Sequence, residues 1–130
     1  MNLCNICNNT PNAHSFKYLK IIKDRLVFYT CPSKANNPFD TDGILQHMKN
    51  YLEYYLNDKE WIWIIDFTDF GIYQSLNISF PLKIISFLKE NNFFNNLYKI
   101  KLKNHNIYSD FLIASIWSIL SNDIKNKILF

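Results

Sequence analysis

The sequence predicts an α/β domain: a small, mainly parallel sheet built from alternating strands and helices. Three observations lead there. The run Trp61-Ile62-Trp63-Ile64-Ile65-Asp66-Phe67 is apolar without alternation, the pattern of a central strand covered on both faces by helices. Segments with apolar residues at three- and four-residue steps alternate with short branched or aromatic runs, giving the order strand, helix, strand, helix, strand, helix, strand. Finally, 130 residues that are 48% hydrophobic and only 19% charged suffice for one core and carry too little charge for disorder. Residues 16–130 are therefore expected to form a single domain, preceded by an Asn-rich tail over residues 1–15.

Each element has a local reason. Phe16 to Lys23 alternates, and Lys23-Asp24 turns it into Arg25-Leu26-Val27-Phe28-Tyr29-Thr30, a branched and aromatic strand stopped by Cys31-Pro32. Ser33 to Phe39 is a polar loop. Asp40-Thr41-Asp42 offers an N-cap, and Ile44, Met48, Tyr51, Leu52 and Tyr55 line one side of a helix that runs to about Asn57. After the central strand, Ser79 is placed to cap a helix with Pro81 in its first turn, its buried side carried by Leu82, Ile84, Ile85, Phe87 and Leu88. Leu97 to Lys103 then alternates, with Tyr98, Ile100 and Leu102 on one face and Lys99, Lys101 and Lys103 on the other. Ser109 is expected to cap a largely buried helix from Asp110 to Ser121, and Lys127-Ile128-Leu129-Phe130 forms a last short strand.

Composition excludes several functions. With Gly43 and Gly71 as the only glycines, neither the dinucleotide-binding glycine loop nor the P-loop is present. A formal charge of +3 is far from the basic footprint of a dedicated nucleic-acid binder, so no nucleic-acid partner is expected. The longest apolar stretch, Phe111 to Leu120, is half of what a bilayer span needs, which is about 20 residues. Three cysteines do not make a secreted disulfide framework, and Met1 to Ser15 has no apolar core of a leader; a cytoplasmic location is expected.

The candidate constellations are weighed as follows. Cys4-x-x-Cys7 is half of a zinc knuckle, but the residues available to complete it, His14 and Cys31, lie at intervals of no standard ligand set. Free thiols in the tail, with no metal and no cofactor, are therefore expected. His105, Ser109 and Asp110 carry the residue types of a nucleophilic triad, yet all stand at the start of one helix, where a cap accounts for them better. Asp66, with Asp69 beyond it, lies at the end of the central strand where α/β sheets usually bind ligands; a loop cap is again the better account. No catalytic residue is assigned. Lys99, Lys101 and Lys103 share one side of a strand and are the candidate contacts for an anionic headgroup.

Leu26-Val27-Phe28-Tyr29 with Cys31-Pro32, the helix from Asp42 to Leu56, the strand Trp63-Ile64-Ile65-Asp66-Phe67, the strand Leu97 to Leu102, the helix residues Phe111 and Trp117, and Lys127-Ile128-Leu129-Phe130 occur in one order. In that order and spacing Leu26 to Phe130 resembles the CRAL-TRIO lipid-binding domain, in particular the divergent branch that includes homology modules of Rho-GTPase regulators. The family's Tyr-Pro-Glu is replaced here by Asn91-Asn92-Phe93-Phe94, and the resemblance is to a minimal form without the N-terminal lobe and gate helix. It implies a non-catalytic module that binds phosphoinositide or another lipid as a peripheral protein at a membrane surface. The alternative it implies is a protein-interaction adaptor, with self-association into a homodimer.

Overall fold

The computed structural model describes residues 2–130, and the chain is an α/β protein with a five-stranded sheet in the order β1-β2-β3-β4-β5. The strands are β1 (Lys17–Ile22), β2 (Arg25–Thr30), β3 (Trp61–Asp66), β4 (Leu97–Lys103) and β5 (Ile128–Leu129). Strands β1 and β2 are antiparallel, and every other pair is parallel. The helices are α1 (Asn5–Asn9), α2 (Thr41–Tyr55), α3 (Ile72–Ser75), α4 (Ser79–Glu90), α5 (Ile107–Trp117) and α6 (Asn122–Lys125).

Lys23 and Asp24 both take positive φ, 49° and 64°, which closes the β1–β2 hairpin with two left-handed residues and matches the strands' twist. The same device recurs at Asn12, Asn57, Asp58, Asp69, Asn92 and Asn104, while neither glycine has positive φ. In a chain nearly without glycine, short Asn and Asp side chains take the left-handed positions, because they bond locally to the backbone there.

One apolar core lies against one side of the sheet. Phe28, Trp61, Trp63, Ile100 and Leu102 point into it, and Met48 and Leu52 of α2, Ile84 and Leu88 of α4, Leu112 and Ile116 of α5 and Ile124 of α6 all join the same cluster. Sequential parallel strands joined by crossovers of one hand put every helix on the same side. Among the described residues the other side therefore has no helical layer, and the expectation of a strand covered on both faces by helices is corrected. It carries Val27, Tyr29, Ile62, Ile64, Asp66, Lys99, Lys101 and Lys103 by alternation. Val27 and Ile62 are nevertheless buried, and their cross-strand neighbours are Lys20 and Lys99, whose aliphatic stems can cover apolar surface. That is why the central strand needs no alternation.

Three local expectations also change. A bulge between Trp61 and Ile62 shifts the β3–β4 register, so Leu97 points inward and Tyr98 outward, its ring under the Arg25 guanidinium at 3.7 Å. Helix α5 begins at Ile107 because Asn106 is its cap: the Asn106 side chain accepts from Tyr108 N–H and Ser109 N–H, both at 3.0 Å, and Ser109 Oγ accepts from Asn106 N–H at 2.8 Å. Only Ser109, Leu112 and Ile116 of that helix are buried, and Ile107 and Phe111 are exposed.

The segment read as a tail folds onto the domain. Cys4, Cys7, Ala13 and His14 are buried, and the Asn50 side chain donates to the Leu3 carbonyl at 2.9 Å. The polar sequence hid this because the segment is held by side-chain and main-chain bonds and not by an apolar stripe. Met1, the first residue of the predicted tail, lies outside the described residues.

Candidate functional site

A cavity of about 190 Å³ lies between the sheet and the helices, near the C-terminal ends of the parallel strands. Ile65 and Leu102 form its sheet side, Ile84 and Ile85 of α4 and Leu112 and Ile116 of α5 its helix side. Asn37 and Phe39 line it from the loop after β2 and Gln74 from α3, and Phe39 is 53% exposed there. The carboxyl ends of the strands are where open α/β sheets receive ligands, because the connecting loops diverge there. Polar side chains such as Thr30 and Asn77 join Asn37 and Gln74 in its lining, but apolar residues dominate, so a ligand there would be held mainly by shape and apolar burial.

The three candidate headgroup lysines do not line this cavity. Lys99, Lys101 and Lys103 stand on the helix-free side of the sheet, together with Lys17 and Lys20 at the register positions of Tyr29 and Val27. Among the described residues none of these five enters an ion pair. Lys99 Nζ donates to the Asn126 carbonyl at 3.1 Å, while Lys101 and Lys103 are exposed.

Asp66 caps the loop after β3. Burial alone would raise its pKa, but the Tyr29 hydroxyl (2.6 Å), the Asn104 amide (3.0 Å), the Thr68 hydroxyl (2.7 Å) and the Thr68 N–H (3.0 Å) all donate to it. Together they outweigh desolvation and hold its carboxyl well below the usual carboxylate range. The bond to Asp66, reinforced by burial, correspondingly pushes the Tyr29 phenol above its ordinary value. Asp69 sits at φ 59° in the following turn. Because the folded pKa of Asp66 is depressed, its stabilisation is complete above the ordinary carboxylate pKa of 3.8 and disappears as the pH falls through the folded value. The stability gap between the wild type and Asp66→Ala, read from urea midpoints, should accordingly be wide at neutral pH and narrower at about pH 3. A gap independent of pH would show that the carboxylate charge contributes nothing.

His105, Ser109 and Asp110 do not form a triad. His105 Nδ1 lies 3.0 Å from Asp110 Oδ1, but Ser109 is fully buried and its hydroxyl serves the α5 cap, donating to the Asn106 carbonyl at 3.0 Å.

The structure brings Cys4, Cys7 and His14 together with His47, a residue absent from the sequence-based candidates. The four are buried, and their sulfur and nitrogen atoms lie within 4.8 Å of one another. His14 Nδ1 is 3.5 Å from Cys4 Sγ and 3.7 Å from Cys7 Sγ, and His47 Nδ1 is 3.6 Å from Cys7 Sγ. Cys31 lies elsewhere, with its sulfur beside Ser33. A signal for His47 was present: it falls in the apolar stripe of α2, one residue before Met48 and three after Ile44, where a polar ring must find partners.

No family model matches the chain, and no curated protein does either. No helix among the described residues is long and apolar enough to cross a membrane.

Proposed function

We propose that the chain is a non-catalytic lipid-binding module that takes an apolar segment into the cavity between sheet and helices and meets an anionic headgroup, most simply a phosphoinositide, at a membrane surface. The apolar cavity at the carboxyl ends of the strands carries this reading. At about 190 Å³ it exceeds cavities of about 150 Å³ that take up benzene and falls short of the roughly 300 Å³ where pockets for larger ligands begin. Its occupant is therefore a short acyl segment or a single ring and not a whole lipid tail. Lys99, Lys101 and Lys103, on the opposite side of the sheet, are the headgroup contacts; Lys103 ends β4 beside Asp66, at the same end of the sheet as the cavity. The resemblance to the CRAL-TRIO domain supports the same assignment.

A second reading, a protein-interaction adaptor or homodimer, is favoured by one observation. Ile72 and Tyr73 of α3, Leu76 just after it, and Ile107 and Phe111 of the adjacent α5 are all more than half exposed, an apolar patch of the kind that marks an interface.

Vesicle flotation with and without phosphoinositide, at low and physiological salt, tests the two. Phosphoinositide-dependent flotation should weaken with salt, survive at physiological strength, and be lost when Lys99, Lys101 and Lys103 are all changed to Glu. Unchanged flotation of the triple variant removes these lysines from the site. No flotation at either salt, with a concentration-dependent dimer in sedimentation, replaces the lipid reading by the adaptor.

A further inference from the structure

We propose that Cys4, Cys7, His14 and His47 form a structural zinc site that clasps the N-terminal segment to α2. The inference stands independently of lipid binding.

Tetrahedral zinc with bonds of about 2.3 Å to sulfur and 2.0–2.1 Å to nitrogen requires a sulfur–nitrogen edge of about 3.6 Å. Three sulfur–nitrogen separations, 3.5, 3.7 and 3.6 Å, match such an edge, and all four ligand atoms lie within 4.8 Å of one another, so the set is close to the size of such a site.

The hydrogen bonds outside the cluster fix the histidines for this role. His14 Nε2 lies 2.8 Å from Asp40 Oδ2, and His47 Nε2 lies 2.7 Å from the Phe16 carbonyl. With the carboxylate ionised, both partners can only accept, so each Nε2 carries a proton and Nδ1 is the ring nitrogen left to ligate a metal beside the sulfurs. A carboxylate or carbonyl behind the ring is the usual support of a metal-bound histidine.

Charge balances as well. Binding replaces the two thiol protons, which leave to solvent, and two thiolates with one divalent zinc are neutral, the state a buried site favours. Four protein ligands leave no open position for water, so the ion would be structural and not catalytic.

The clasp also explains the local fold. Helix α1 has five residues, Cys7 is its only buried one, and a helix so short does not hold itself together. Beyond the cluster the segment bonds to the loop at the cavity rim, where Asn36 N–H donates to the Asn12 carbonyl at 2.7 Å and Asn37 N–H to the Ala13 carbonyl at 2.9 Å.

The full chain, purified under reducing conditions without chelator, should hold about one zinc by elemental analysis. Cobalt substitution should give the visible absorption of a tetrahedral thiolate site. Cys7→Ser and His47→Gln should each remove the ion, Cys31→Ser should retain it, and Asp40→Asn should weaken competition against a chelator by about 10–100-fold. Wild-type protein with neither zinc nor a cobalt spectrum would overturn the proposal, as would a Cys4–Cys7 disulfide in protein from a reducing cytosol. The cobalt spectrum uses the wild type, so it decides the matter even if the variants fail to fold.

Discussion

Trp61→Ala should destabilise the domain by about 3–5 kcal/mol, the range for truncating a buried large aromatic. Trp61 is fully buried, meets Phe16 and Phe28 edge-on at ring distances of 6.2 and 5.7 Å, and donates its indole N–H to the Phe93 carbonyl at 2.9 Å. The substitution removes packing from both sheet and helix and leaves that carbonyl without its donor. Domains of this size are stable by about 5–15 kcal/mol, so the variant should be marginal or unfolded at physiological temperature. Trp61→Phe keeps most of the ring and should cost about 1–3 kcal/mol, the range for an unpaired buried polar group. Urea midpoints of the three proteins measure the series, and a shift below about 1 kcal/mol for Trp61→Ala would place the centre of the core elsewhere.

Gly43→Ala should also destabilise, although helix propensity argues the other way. Gly43 lies in the first turn of α2, where alanine would gain at most about 1 kcal/mol over glycine. A Cβ there would overlap the Asp40 carboxylate and lie 2.7 Å from His14 Nε2. Asp40 would have to leave, and with it go the cap on Gly43 N–H at 3.1 Å and the acceptor for the buried His14 ring. Losing a cap costs about 1 kcal/mol and orphaning a buried ring nitrogen about 1–3 kcal/mol, so the net effect is a loss of about 1–3 kcal/mol. Thermal or urea unfolding of the variant checks the sign, and a gain in stability would show that Asp40 moves aside without cost. The glycine is kept for the close approach of two side chains and not for its own backbone freedom.

Most of the regular elements were legible because their signals are local. Strand β2 is branched and aromatic and ends at Cys31-Pro32, and α2 has an acidic cap and an apolar stripe, so both ran close to their predicted limits. What escaped depends on contacts distant in sequence. Helix α1 has no apolar period; its place is set by His47, forty residues from Cys7. The start of α5 was displaced because Asn106 and Ser109 both bear cap-forming side chains, and Asn106 also reaches the Phe70 carbonyl at 3.1 Å, a bond no local pattern announces. The helix-free side of the sheet was hidden by β3 itself, since an apolar residue beneath lysine stems reads the same as one beneath a helix.

The strand order has a consequence for how the chain acquires its structure. Each strand pairs with the one before it, so no pairing has to close more than the single connection between consecutive strands. The entropy of closing such short loops is modest, and folding should be quick compared with sheets whose neighbours are remote in sequence. Its N-terminal elements are also the first to be synthesised. The last member of the Cys/His cluster, His47, precedes β3, so the N-terminal segment, the β1–β2 hairpin and α2 can lock together first and offer a finished edge on which β3, β4 and β5 are laid down in turn.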